Sequence, residues 1–192
     1  MHLFAAPVPA GKKALEHETA YRLLAYAVQE VYGLPLPEIA CDSRGKPFFP
    51  QRQEICFNLS HCRGLAVCGI SAFPLGVDCE SIRSLREGVL RRSFAPEEVL
   101  AVTKSSQPDE TFFRFWTLKE SRIKQSGTGM SVRLSSFSFR ISPKGAVFGS
   151  DEDLCFQQRL LRDSYVLSVC TPKCPGSSPE NTLQITEQLP AT

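Results

Sequence analysis

The stretch that most constrains this chain is residues 112–129, FFRFWTLKESRIKQSGTG. It holds no proline, and its aromatic and aliphatic residues recur at helical spacing. Pro108-Asp109 stands ahead of it and Gly127 and Gly129 behind it, so the pattern predicts a helix over 109–125. In that helix Trp116, Glu120 and Lys124 fall at i, i+4 and i+8 with Lys119 beside them, gathering an aromatic plate, a carboxylate and two ammonium groups on one flank. A solvated Glu–Lys pair on a surface helix is worth only about 0.3–0.5 kcal/mol, so other stretches must join these residues before they define a site.

Residues 1–11 are short and broken by Pro7 and Pro9, which allows an edge strand at most. From 15 to 32 the spacing of Tyr21, Leu24, Ala25, Val28 and Val31 is helical, Gly33-Leu34-Pro35 ends it, and Arg22 lies inside it. Ser43-Arg44-Gly45-Lys46-Pro47 reads as a turn that holds Lys46 on a stiff loop. Residues 55–60 and 64–71 read as strands, with His61 in the connection between them beside Asn58 and Ser60. Residues 75–80, LGVDCE, form an extended segment in which Asp78 and Glu80 share one face and Cys79 takes the other. Arg83, Arg86, Arg91 and Arg92 follow, and Pro96-Glu97-Glu98 starts a further helix. SSFSFRIS, LCFQQRLL and YVLSVC are strand patterns separated by turn signals, and the region 173–192, rich in proline and serine, reads as disordered. Helix, strands, helix, helix, strands is the order of an α+β protein with mostly antiparallel sheets. It divides into an N-terminal half, 1–74, and a C-terminal half, 75–172.

Hydrophobic residues make up 42% and charged residues 22%, the balance of a globular protein. A formal net charge of +2 is too small for a dedicated nucleic-acid binder. No apolar run nears the roughly 18 residues of a membrane span, and the lysines at 12 and 13 follow a proline-broken apolar start, the wrong order for a secretory signal. The expectation is a cytoplasmic protein with no membrane or nucleic-acid partner. None of the eight cysteines forms a CxxC pair, and most sit in apolar runs, so they read as reduced, buried thiols.

Asp78, Glu80 and Glu120 supply three carboxylates, and Lys46, His61, Lys119 and Lys124 supply donors suited to phosphate. Carboxylates that repel one another call for a cation between them, and Mg²⁺ takes one or two carboxylates together with waters and substrate phosphates. This is the equipment for transfer from a diphosphate: a metal, cations for the leaving phosphate and a carboxylate to activate a hydroxyl. No Walker loop, GxGxxG or HRD motif is present, which disfavours the common kinases and dehydrogenases. A metal-dependent phosphohydrolase and a non-catalytic coenzyme A or carrier-binding module are the alternatives.

Four ordered elements carry a resemblance: Gly45-Lys46-Pro47, Asn58-Leu59-Ser60-His61, Gly76-Val77-Asp78-Cys79-Glu80, and the Trp116 to Lys124 run W-x-x-K-E-S-x-x-K. The chain resembles the Sfp-type 4′-phosphopantetheinyl transferases. The resemblance implies two similar α+β halves in a pseudo-twofold monomer, with coenzyme A in the cleft between them. It implies transfer of the phosphopantetheine arm to a serine of an acyl or peptidyl carrier protein, with release of adenosine 3′,5′-bisphosphate. Carried over by position, Asp78, Glu80 and Glu120 would hold Mg²⁺, and Glu120 would also act as base. Lys124 and His61 would contact phosphates in a site that also includes Ser60, and Lys119 would support the diphosphate. Lys46 would lie near the adenine or 3′-phosphate, and Arg22 would bind the 3′-phosphate.

Overall fold

The computed structural model describes residues 1–9, 13–173 and 184–187. The first half runs β1 (His2–Pro7), α1 (Lys13–Tyr32), a hairpin of β2 (Ala40–Cys41) and β3 (Pro47–Phe48), β4 (Cys56–Cys62) and β5 (Leu65–Ser71). The second runs β6 (Gly76–Ser81), α2 (Glu87–Ser93), α3 (Pro96–Thr103), α4 (Pro108–Ser126), a hairpin of β7 (Phe139–Ile141) and β8 (Val147–Gly149), β9 (Leu154–Leu161) and β10 (Tyr165–Pro172). Removing α2 and α3 leaves the same order in both: strand, long helix, short hairpin, two strands. The pairing repeats as well, β1-β5-β4 in one antiparallel sheet and β6-β10-β9 in the other. The α+β class with two similar antiparallel halves therefore stands as the sequence predicted.

Each sheet has its helix on one face and a shared core on the other. α1 buries Leu23, Leu24, Ala27 and Val28 against Phe4, Phe57 and Ile70, while Leu3, Val67, Val77, Leu167 and Val169 meet between the sheets. That two-sided covering explains why every residue of β5 is buried and why it reads as an unbroken apolar run. α4 begins with Pro108 in its first turn, carries Asp109 and Glu110 at its positive dipole end, and stops where Gly127 takes a left-handed φ of 65°. Against it lies Gly76, where a Cβ would come within 1.9 Å of the Ser121 carbonyl oxygen, so the glycine lets α4 rest directly on β6.

Four expectations change. β1 is a buried strand six residues long, paired along its length with β5 and on its other side with β11 (Thr186–Glu187), because Pro7 and Pro9 fall at its end and not within it. His61 lies inside β4 and not in the connection, since the hairpin turns at Arg63-Gly64 with Gly64 at φ 92°. SSFSFRIS yields strand only over Phe139–Ile141, after a single 3₁₀ turn at Leu134–Ser136. The segment expected to be disordered contributes β11, and 174–183 and 188–192 lie outside the described residues.

Candidate active site

β4 and β6 are the facing edges of the two sheets, and side chains join them where a backbone ladder would otherwise run. Asn58, Ser60 and Cys62 alternate along β4 and so share one face. The Val77 N–H donates to Asn58 Oδ1 at 2.8 Å, the Cys79 N–H donates to Ser60 Oγ at 3.1 Å, and the Cys62 and Cys79 sulfurs lie 3.9 Å apart.

α4 crosses this seam. Lys124 Nζ donates to Asp78 Oδ1 at 2.7 Å, to Ser60 Oγ at 3.0 Å and to the Val77 carbonyl at 3.1 Å, while the Ser60 hydroxyl donates to Asp78 Oδ1 at 3.0 Å. Burial pushes the Lys124 ammonium down, but Asp78, Cys79 and Glu120 outweigh it and hold the group above its ordinary range. The other oxygen of Asp78, Oδ2, is buried and has no hydrogen-bond partner among the described residues. Glu120, one turn before Lys124, is raised to about 7, first by burial and then by the charge of Asp78, with Lys124 opposing and Glu80 adding to the rise. Glu80 accepts from Arg83 at 2.8 Å, and that guanidinium sits 4.6 Å from the Phe113 ring centroid.

These carboxylates fit a hard divalent cation. An orphaned buried oxygen and a glutamate driven toward neutrality by burial and by its acidic neighbours are both relieved by positive charge. Among the described residues no group of three or more His, Cys, Asp or Glu side chains forms a metal-holding cluster by itself. The donor set suits an ion that draws part of its shell from substrate phosphates and water.

Beside the seam a cleft of about 310 Å³ opens between the halves, bounded by α1, the 44–47 turn, β4 and the C-terminal end of α4. Lys46, His61 and Lys124 line it, as do His17, Tyr21 and Arg44, which sequence reading did not single out. The first two could have been found from the i, i+4 spacing that places them on one face of α1, and Arg44 from its neighbour Lys46. Lys46 Nζ donates to the Gln125 carbonyl at 2.7 Å, so one cation joins the first half to the C-terminus of α4. Burial lowers its pKa.

Three residues predicted to bind the co-substrate do not line the cleft. Lys119 is 0% exposed, bonded to Glu98 at 2.8 Å and to the carbonyls of Leu134 and Phe137 at 2.9 and 2.7 Å, so it serves the core of the second half and does not face the cleft. Ser60 is buried with its hydroxyl engaged by Asp78, Cys79 and Lys124, and it shapes the site from beneath. Arg22 is exposed on α1 outside the cleft lining, where Tyr21 takes the facing position.

Two halves joined at a seam of acids and lysines, with a cleft between them, suit the class of transferases that act on phosphorylated ligands. Comparison with known proteins gives the same class. The family model of the 4′-phosphopantetheinyl transferase superfamily matches residues 74–170. A 4′-phosphopantetheinyl transferase of Bacillus subtilis is 33% identical over 77% of this chain and 70% of its own length. The 4′-phosphopantetheinyl transferase psf-1 of Bacillus pumilus is 34% identical over 79% of this chain and 68% of its own. Among solved structures, a holo-(acyl-carrier-protein) synthase from Bacillus anthracis in complex with CoA (3′,5′-ADP) is 15% identical, covers 52% of this chain and 95% of its own, and gives a TM-score of 0.45. The chain belongs to the 4′-phosphopantetheinyl transferase superfamily.

Proposed function

We propose that the chain moves the 4′-phosphopantetheine arm of coenzyme A onto a serine hydroxyl of an acyl or peptidyl carrier protein and releases adenosine 3′,5′-bisphosphate. The observation that carries this reading is the Lys124–Asp78 pair at 2.7 Å across the seam, with Asp78 Oδ2 buried and without a partner among the described residues and Glu120, its carboxyl raised to about 7, one turn of α4 away. Asp78, Glu80 and Glu120 are the residues that would hold Mg²⁺, which when bound supplies charge neutralisation of the diphosphate. Glu120 accepts the proton of the serine hydroxyl as its oxygen attacks the phosphorus bearing pantetheine. The bond from that phosphorus to the bridging oxygen breaks, and the electron pair leaves with the 5′-phosphate of adenosine 3′,5′-bisphosphate. Lys124 and His61 meet the phosphates, and Lys46 with Arg44 closes the nucleotide end of the cleft. Among the described residues no helix is long and apolar enough to cross a membrane, in keeping with a partner met in solution.

The test is intact-mass measurement of apo carriers incubated with the protein, coenzyme A and Mg²⁺. Gain of one phosphopantetheine per carrier supports the reading. Consumption of coenzyme A without a carrier would instead assign a phosphohydrolase, and binding without turnover a module that only binds.

A further inference from the structure

His61 stands on the boundary of two cavities. On one side is the cleft between the halves; on the other is a cavity of about 480 Å³, rimmed by charged side chains, at the start of α1 and the end of β6. Facing His61 in that second cavity are Lys13 and Glu16 from α1, Arg63 after β4, and Glu80 and Arg83 at the end of β6. Glu80 already has Arg83 as its partner at 2.8 Å.

Glu16 differs from the other acids near α1. It lies in the first turn of the helix yet is only 6% exposed, and its Oε2 lies 3.7 Å from Nδ1 of His61. An acid placed there merely to complement the helix dipole would gain as much on the solvent side. A carboxylate taken out of water costs free energy unless a partner offsets it, and among the described residues the ion pair of Glu16 is with His61. One turn of the ring away, His17 approaches the same imidazole edge-on at 6.0 Å between centroids, and His17 rests on Tyr21 at 4.8 Å. α1 thus brackets the imidazole with a carboxylate and an aromatic ring, while β4 supplies its backbone.

We infer that Glu16 is a positioning residue for the transfer: it engages Nδ1 of His61 and so commits the other ring nitrogen, Nε2, to the phosphates of coenzyme A. At 3.7 Å the contact is longer than a hydrogen bond, so the carboxylate acts by its charge, drawing the Nδ1 side of the ring toward α1 and leaving Nε2 for the cleft. Glu16 touches no substrate in this scheme and acts through His61 alone. The inference rests on the coenzyme A reading of the cleft.

The test is a double-mutant cycle on coenzyme A affinity, measured calorimetrically with Mg²⁺ and without carrier. Glu16→Gln keeps the shape of the side chain and loses the charge. It is expected to weaken coenzyme A binding by roughly three- to tenfold, the scale of one close electrostatic contact, with kcat at saturating coenzyme A within about twofold. In a His61→Gln background the same substitution should change affinity by less than about twofold, because the residue it acts through is gone. Glu16→Asp should recover part of the loss. An equal loss in both backgrounds, or no loss in either, overturns the inference while leaving the cleft assignment intact. A wild-type chain that does not bind coenzyme A overturns both. Thermal midpoints of each variant, expected within a few degrees of one another, separate a positioning role from a damaged fold.

Discussion

Glu120 carries two opposed demands. With a folded-state pKa of about 7 against an ordinary value of 4.5, ionisation costs the folded protein more than the unfolded one. The stability it contributes is complete below the unfolded value and is lost as pH rises through about 7. Glu120→Gln removes that cost, so the variant should be more stable than the parent at pH 8 by about 1–2 kcal/mol after screening at a half-buried site, and no more stable at pH 4. Its kcat should fall by about 10²–10⁴, the usual contribution of a general base. Parent turnover should rise with pH as Glu120 loses its proton, with a midpoint below the metal-free value of about 7 that moves lower still as Mg²⁺ is increased. Denaturant titrations at the two pH values and pH–rate profiles at two Mg²⁺ concentrations check these outcomes. A variant no more stable at pH 8 would remove the premise that the site strains this carboxylate.

Among elements, α4 holds most of the site and was the easiest to read. Its start, stop and Trp116–Glu120–Lys124 stripe follow from proline, glycine and a spacing of four. Adjacent Lys119, which the resemblance would set on the diphosphate, is buried instead, on the core-facing side that Phe112 and Phe115, seven and four residues earlier, already mark. What no local pattern could reveal is the partner: Glu98 on α3 accepts from the Ala95 and Phe139 backbone and pairs with Lys119 in a site with no exposure. Burial raises Glu98 and lowers Lys119, so neither is at ease without the other. Lys119→Met should therefore destabilise the protein by about 3–5 kcal/mol, leaving a buried carboxylate unpaired, while the folded fraction keeps its KM for coenzyme A. Denaturant midpoints with coenzyme A kinetics decide it. Unchanged stability with a raised KM would return Lys119 to the diphosphate.

At the scale of the whole molecule, the two similar halves were legible from the order of elements, but the seam was not. Asn58 and Ser60 stood out in the sequence as polar residues in an apolar strand, and they prove to bind backbone N–H groups nineteen residues away across the joint. The arginine-rich segment after β6 also divides once folded: Arg83 pairs with Glu80 and Arg91 lies 3.9 Å from Glu87, while Arg86 and Arg92 lie exposed before and on α2. An exposed cationic patch mainly accelerates and orients encounter with an acidic partner. Arg86→Glu with Arg92→Glu should raise KM for the carrier several-fold and flatten its dependence on salt, with coenzyme A affinity unchanged. Steady-state kinetics at two ionic strengths test this, and an unaltered carrier KM moves the docking surface elsewhere.

The facing of β4 and β6 has one more consequence. Each is the last strand of its sheet, and in the intact chain each shields the open edge of the other through Asn58, Ser60 and Cys62. Strand edges left bare recruit other strands. A chain severed in the loop at 72–75 should give fragments that remain soluble together and self-associate or precipitate when separated, as sedimentation would record. The joint that carries the proposed chemistry would thus also keep either half from sticking to its own kind.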